Sequence, residues 1–282
     1  MEHLLRELTE PFDALPEAEA LALLAEHWSI EATSLDRLDT ERDDTFRVRA
    51  DRDYVLKVAH PLDSPALIDL QNAAMTVAYE ARMPVQHPIG GTALTRGRTA
   101  RVLTWLPGGL MRDAQYGLGE IGAAGSALAR LALALREFEH PAARRQFAWD
   151  LQSFGAYAGI DTAGLPHQVI HNDFHPGNLL VDAGDPRFVT GILDFGDTVY
   201  APRVQDVAVA LAYLVDDDPG PVIAAFVAGY ESVTPLLPTE HAALVPLIAA
   251  RLRQRITLPP LLYPDDVDPA HTARLTRILG GL

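Results

Sequence analysis

The run His171-Asn172-Asp173-Phe174-His175-Pro176-Gly177-Asn178, followed by Ile192-Leu193-Asp194-Phe195-Gly196-Asp197, gathers carboxylates, an amide and imidazoles at the ends of strand-like segments. Phosphoryl transfer needs a carboxylate to orient and deprotonate the attacking hydroxyl, and hard oxygen donors to hold the divalent ion that neutralises the phosphates. Asp173 suits the first task, and Asn178 and Asp194 suit the second. Four residues between Asp173 and Asn178 let both face one cavity, and a hairpin from Leu179 to Leu193 returns Asp194 beside them. Taken singly, each residue has a plainer explanation: a turn former at Asp173 or Asn178, a core histidine at His171, an ordinary turn at Asp194-Phe195-Gly196. The order H-x-D-x-x-x-x-N, then D-F-G, behind an upstream Val55-Leu56-Lys57-Val58 strand, outweighs those readings because it is the order kinase chemistry uses.

Lys57 is the only lysine in a chain whose other side-chain cations are nearly all arginine. An ammonium is a compact point charge that a planar guanidinium does not replace in a tight phosphate site, so chemistry explains the exception, as chance also does.

The scaffold needed to bring these residues together is legible in the periodicity. A helix is expected over about Pro16 to Trp28, strands over Thr45 to Ala50 and Asp53 to Ala59, a helix from Ala66 to Met83, and a strand over Thr99 to Trp105. Pro107-Gly108-Gly109 then breaks the pattern and marks a lobe boundary. Beyond it, Leu128, Leu131 and Leu135 mark a long helix ending near His140-Pro141. Short strands follow around Gln168 to His171, Leu179 to Val181 and Phe188 to Leu193, and the remainder is helical, starting with the stripe Val204, Val207, Ala208, Leu211.

Composition narrows the functional classes. With 282 residues and 48% hydrophobic content the chain is long enough for two lobes. Its 23 Lys+Arg against 38 Asp+Glu give a formal charge of -15, which repels nucleic acids and anionic membranes and suits a cationic or zwitterionic small molecule, or simply a solvated surface. The absence of cysteine excludes disulfides, zinc-thiolate sites and thiol nucleophiles. The start Met1-Glu2-His3-Leu4 lacks a basic segment leading into an apolar run, and no stretch approaches about 20 apolar residues, so a cytoplasmic protein, neither exported nor membrane-embedded, is expected.

These motifs together resemble the aminoglycoside phosphotransferase and choline kinase-like superfamily. More narrowly, Ser34 to Asn72, Arg101 to Gly108, Phe147 to Asp150 and Asp194 to Val209 resemble the hydroxylysine kinase-like phosphotransferases, including those fused to class III aminotransferases. The resemblance implies an α+β, bilobal protein kinase-like fold, with a small β-rich nucleotide-binding N-lobe over 1–106 and a larger, mainly helical C-lobe over 107–282 that carries the catalytic loop and binds substrate. It implies ATP or GTP as co-substrate, Mg2+, and a hydroxylated amine as acceptor, with a homodimer left open. Lys57 would pair with the nucleotide phosphates and Asp173 would be the base. Asn178 and Asp194 would hold magnesium, His171 would brace the loop, and the backbone of Thr104 and Leu106 would meet the nucleobase. Asp197, Tyr200 and Arg203 would line the acceptor side, with Asp197 the natural partner of an amine. Arg203 and Asp206 equally suit a structural ion pair.

The pattern departs from protein kinases in two places. The polar Glu41 to Thr45 turn stands where a glycine-rich loop would, and the helix that would offer Lys57 a glutamate presents Gln71 and Asn72, with Asp69 or Glu80 as substitutes. Only 18 residues separate Asp150 from Val169, a short link for this superfamily. Two rival readings follow from the same residues: a pseudokinase that only binds nucleotide, and a metal hydrolase using His171, Asp173 and His175 with Asp194 as a fourth ligand.

Overall fold

A computed structural model describes residues 5, 9–40, 42–153, 157 and 159–282. Residues 1–4, read above for a targeting segment, and Glu41 lie outside the described residues. Helix α1 (Glu17–Trp28) is followed by β1 (Ser34–Leu38), β2 (Asp44–Arg49) and β3 (Asp53–Val58), helix α2 (Pro65–Glu80), and strands β4 (Pro88–Thr95) and β5 (Arg98–Thr104). The five strands form one antiparallel sheet in the order β1-β2-β3-β5-β4.

Alternation sorts the sheet into two faces. Phe46, Val48, Leu56, Val58, Ala100 and Val102 pack with Leu23 and Leu24 of α1. Val55 and Leu103 face the other way, into a core that continues through α2 into the carboxy-terminal region. Lys57 shares the face of Val55 and so points toward that inner side. Strands β1 and β4 were not expected from sequence, and both are sheet edges. In β4, Gly90 takes a φ of 65° and the register slips between Ile89 and Ala93, which interrupts the alternation a strand assignment relies on.

Helix α2 starts where Ser64 accepts the Leu67 N–H at 3.2 Å, with Pro65 in the first turn. It stops at Glu80 rather than Met83, because Arg82 adopts a left-handed φ of 64° and the Met83 N–H turns back to the Ala78 carbonyl at 3.0 Å.

The carboxy-terminal region begins with β6 (Gly109–Leu110) and α3 (Leu118–Ala134). Then come β7 (His167–Ile170), β8 (Leu179–Val181), β9 (Val189–Ile192) and β10 (Val199–Pro202). Helices α4 (Arg203–Leu214), α5 (Pro219–Glu231), α6 (Pro238–Thr257), α7 (Pro259–Leu262) and α8 (Pro269–Gly281) complete it. Strand β7 pairs with β10, and β6, β8 and β9 form a second small sheet. Helix α3 ends at Ala134, short of the expected His140, although Leu128, Leu131 and Leu135 are all buried as the stripe required.

Helices α3 and α5 cross at glycines: a methyl on Gly229 would lie 1.9 Å from the Gly122 carbonyl oxygen. Helix α4 is buried over ten of its twelve positions and forms the centre of the helical region. Of the short 151–168 link, 154–156 and 158 lie outside the described residues, while Leu151 and Leu165 sit in the main core. The two regions are joined where the Ile192 N–H donates to the Pro84 carbonyl at 2.7 Å. This is the α+β arrangement expected, β-rich first and helical after. No helix among the described residues is long and apolar enough to cross a membrane.

Candidate active site

The loop between β7 and β8 carries Asp173, and its conformation is imposed from α4. The Asp206 carboxylate accepts the main-chain N–H of His171 at 3.0 Å and of Asn172 at 2.7 Å, and Gln205 donates to the Asn172 side-chain oxygen at 2.7 Å. Asn172 is fully buried with a left-handed φ of 64°, which an asparagine tolerates better than most residues and which turns the chain so that the next residue leaves the core. His171 bonds the backbone through both ring nitrogens. Its Nδ1 accepts the Asp173 N–H at 3.2 Å, which leaves Nε2 to donate to the Leu193 carbonyl at 3.0 Å.

Asp173 is held at both oxygens. Asn178 Nδ2 donates to Oδ2 at 2.6 Å, His175 Nε2 lies 3.4 Å from the same oxygen, and Arg251 Nη2 lies 3.6 Å from Oδ1. Burial pulls the Asp173 carboxyl upward, but the charge and hydrogen bond of His175, with the Arg251 guanidinium, more than offset it and hold it below the usual carboxylate range. It is therefore ionised at neutral pH.

Asn178 spends its amide nitrogen on Asp173, and among the described residues its Oδ1 has no hydrogen-bond partner. The Leu193 N–H donates to the Asn178 carbonyl at 2.8 Å, which sets Asp194 beside it. Asp194 has a φ of 57° and accepts the Gly196 N–H at 3.0 Å. Lys57 closes the group: its Nζ lies 3.5 Å from Asp194 Oδ2 and 3.1 Å from Asp43 Oδ2. The Lys57 charge outweighs burial and brings the Asp194 carboxyl down to about 2. For Lys57 itself, burial pulls downward but Asp194 and Asp43 raise it overall, so it is a cation. One amide oxygen and one ionised carboxylate are hard donors of the kind a magnesium ion takes.

Asp197 sits next to this group. Burial and the negative charge of Asp173 push its carboxyl up to about 7. Arg145 frames it, donating to the Gly196 carbonyl at 2.5 Å and the Thr198 carbonyl at 3.4 Å.

The sequence profile described as "APH: Phosphotransferase enzyme family" matches residues 37–244, which span every residue of this cluster except Arg251. The chain belongs to the APH phosphotransferase family. It is 27% identical over 315 residues to a hydroxylysine kinase of Mus musculus, covering 89% of this chain and 84% of that one. It is 30% identical over 247 residues to a homoserine kinase of Gluconacetobacter diazotrophicus, covering 77% of this chain and 74% of that one. In fold it is similar to the amicoumacin kinase hAmiN solved in complex with AMP-PNP, Ca2+ and Ami, with a TM-score of 0.78 at 16% identity over 94% of this chain and 92% of that one. A microcompartment-associated aminopropanol kinase gives 0.69 at 17% identity over 94% of each chain. The enzyme is thus a phosphotransferase with an alcohol acceptor, on a kinase-like scaffold.

Other expected positions of this APH enzyme make contacts of their own. Arg203 is not paired with Asp206; it grips Glu240 through two bonds of 2.8 and 2.7 Å, with Glu240 fully buried. Tyr200 lies between the Arg144 guanidinium, 3.9 Å from its ring centre, and the His167 ring, 5.8 Å centroid to centroid. The Thr104 N–H is spent on the His87 carbonyl at 2.9 Å, leaving its carbonyl with only a 3.4 Å contact from Gln86. The hydrolase reading fails on His171, both of whose ring nitrogens are engaged by backbone. Among the described residues no cluster of three metal-ligating side chains of the His, Asp or Glu type exists.

The helix amides do not serve Lys57 either. Gln71 and Asn72 bind Arg101, Asp69 faces His140 at 3.2 Å, and the carboxylate on Lys57 comes from Asp43 in the β1–β2 turn. Sequence reasoning also passed over Arg251, although a charged residue among Leu247, Ile248 and Leu252 in a buried stripe is a signal that it has a partner.

Proposed function

We propose that this phosphotransferase moves the terminal phosphoryl group of ATP or GTP to the hydroxyl of an amino alcohol or hydroxy amino acid, with Asp173 as the base. The observation that carries the reading is the tethering of Asp173 between Asn178 and Arg251, with Asn178 bonded through its carbonyl to the Leu193 N–H beside Asp194, which pairs with Lys57. An ionised carboxylate with both oxygens fixed orients an incoming hydroxyl and accepts its proton as transfer proceeds. Lys57 meets the nucleotide phosphates. Asp194 Oδ and Asn178 Oδ1 are the oxygens that would hold Mg2+, which when bound neutralises charge on the transferring group. The Thr104 carbonyl and the Leu106 N–H face the nucleobase. These roles divide the chain into a nucleotide-binding lobe over 1–106 and a catalytic lobe over 107–282, in a cytoplasmic enzyme supplied with nucleotide.

Asp197 supports an amine on the acceptor. Burial, and then repulsion from the neighbouring Asp173 carboxylate, push Asp197 up to about 7; an ammonium between the two carboxylates would offset both costs. The hydroxylysine and homoserine kinases that the chain resembles act on acceptors of this kind, as their names state.

Asp173→Asn tests the assignment. Nucleotide binding by calorimetry should match the wild type, while phosphoryl transfer to a panel of amino alcohols and hydroxy amino acids falls by roughly 10²- to 10⁴-fold. Turnover at the wild-type rate would remove Asp173 from the mechanism. Binding without turnover in the wild type itself would leave a pseudokinase.

A further inference from the structure

Lys57 and Arg101 stand directly opposite one another on β3 and β5, so both side chains project from the same face of the sheet. Both are buried, at 9% and 3% exposure. Two adjacent buried cations repel, and each is costly to desolvate unless something compensates it. Their compensation differs in kind. Lys57 has two carboxylates, Asp43 and Asp194, at 3.1 and 3.5 Å. Arg101 has two neutral amides from α2: Nη1 donates to Asn72 Oδ1 at 2.8 Å and Nη2 to Gln71 Oε1. Carboxamide oxygens satisfy the N–H donors and fix the plane of the guanidinium, but they cancel none of its charge. The carboxylates that act on it from further off, Asp43, Asp194 and Asp63, are already engaged by Lys57 or by Arg42.

We propose that Arg101 is a positioning residue of the phosphate site, whose amide-held positive charge, without a carboxylate bonded to it, stands behind Lys57 and strengthens binding of the nucleotide polyphosphate. This rests on the phosphotransferase reading given above. Helix α2 contributes to the site through charge it withholds: a glutamate at 71 would make the same hydrogen bond with the same shape, yet neutralise the guanidinium. An anionic ligand near Lys57 then meets one positive charge fewer.

The test is Gln71→Glu in the full chain, with Asn72→Asp as a second variant that brings a carboxylate to the other arm of the fork from a less buried position. Binding of MgATP and MgGTP is measured by calorimetry, alongside thermal melting and steady-state kinetics. The melting temperature should equal or exceed that of the wild type, because an ion pair replaces a neutral bond. The nucleotide dissociation constant should rise about tenfold, the scale on which one charge acts at short range in a partly screened site. Nucleotide KM should follow it while kcat and acceptor KM stay near wild type, and Arg101→Met should weaken nucleotide binding similarly. Nucleotide affinity unchanged or improved in a folded Gln71→Glu or Asn72→Asp variant overturns the proposal while leaving the phosphotransferase intact. A wild-type protein that binds neither nucleotide ends both.

Discussion

Asp206 Oδ1 accepts the main-chain N–H of Asn172 at 2.7 Å, and through that bond a helix in the centre of the core sets the backbone of the loop that presents Asp173. The other oxygen takes the His171 N–H, and all three residues are buried. Asp206→Ala leaves two buried donors without acceptors. A loss of about 2–6 kcal/mol in denaturant unfolding is expected, from about 1–3 kcal/mol per unsatisfied group, with catalysis falling in the folded fraction because Asp173 loses its frame. Asp206→Asn keeps one acceptor oxygen and should retain part of both. An alanine variant as stable as wild type would show that the loop holds its left-handed turn unaided.

With the acceptor role proposed for it, Asp197 should make activity and stability depend on pH in opposite directions. Its folded pKa is raised, to about 7 from an ordinary 3.8, so its contribution to stability is complete below the lower value and is lost as pH rises through the higher one. Asp197→Asn should therefore raise the melting temperature relative to wild type at about pH 8 more than at about pH 5. Over the same rise the ionised Asp197 gains attraction for an ammonium-bearing acceptor, so wild-type acceptor KM should fall between about pH 6 and 8. The asparagine variant should show a higher KM that stays flat across that range. Parallel pH profiles in the two proteins would detach Asp197 from the acceptor.

Arg203 is a separate case, since it closes a buried pair with Glu240, which also accepts the Leu237 N–H at 2.8 Å at the start of α6. Arg203→Met strands a carboxylate that has no exposure to water. A destabilisation of about 3–5 kcal/mol is expected in urea titration. Acceptor and nucleotide KM, measured on the surviving folded enzyme, should not move. A raised acceptor KM with unchanged stability would return Arg203 to the substrate side.

How far these features were legible depends on how local their cause is. The strand lysine, the H-x-D-x-x-x-x-N loop and the D-F-G turn were readable because each is fixed by spacing over a few residues, and alternation in β2 and β3 correctly set Lys57 apart from Leu56. Edge strands β1 and β4 were not, since one is short and mostly polar and the other is broken by glycines at its bulge. The expected lysine partner also failed. Spacing along α2 put Gln71 and Asn72 in the right neighbourhood, but which cation they grip depends on the register of β3 against β5.

By itself, then, the order of residues determined the groups that are present: an ammonium on a strand, a carboxylate and an amide one turn apart, a second carboxylate after a hairpin. Tertiary structure alone decided the pairings. Arg101 with Gln71, Arg203 with Glu240 and Asp206 with Asn172 join positions 30, 37 and 34 residues apart. A charge chooses its partner by distance and burial, and over such separations only the packed core sets either one.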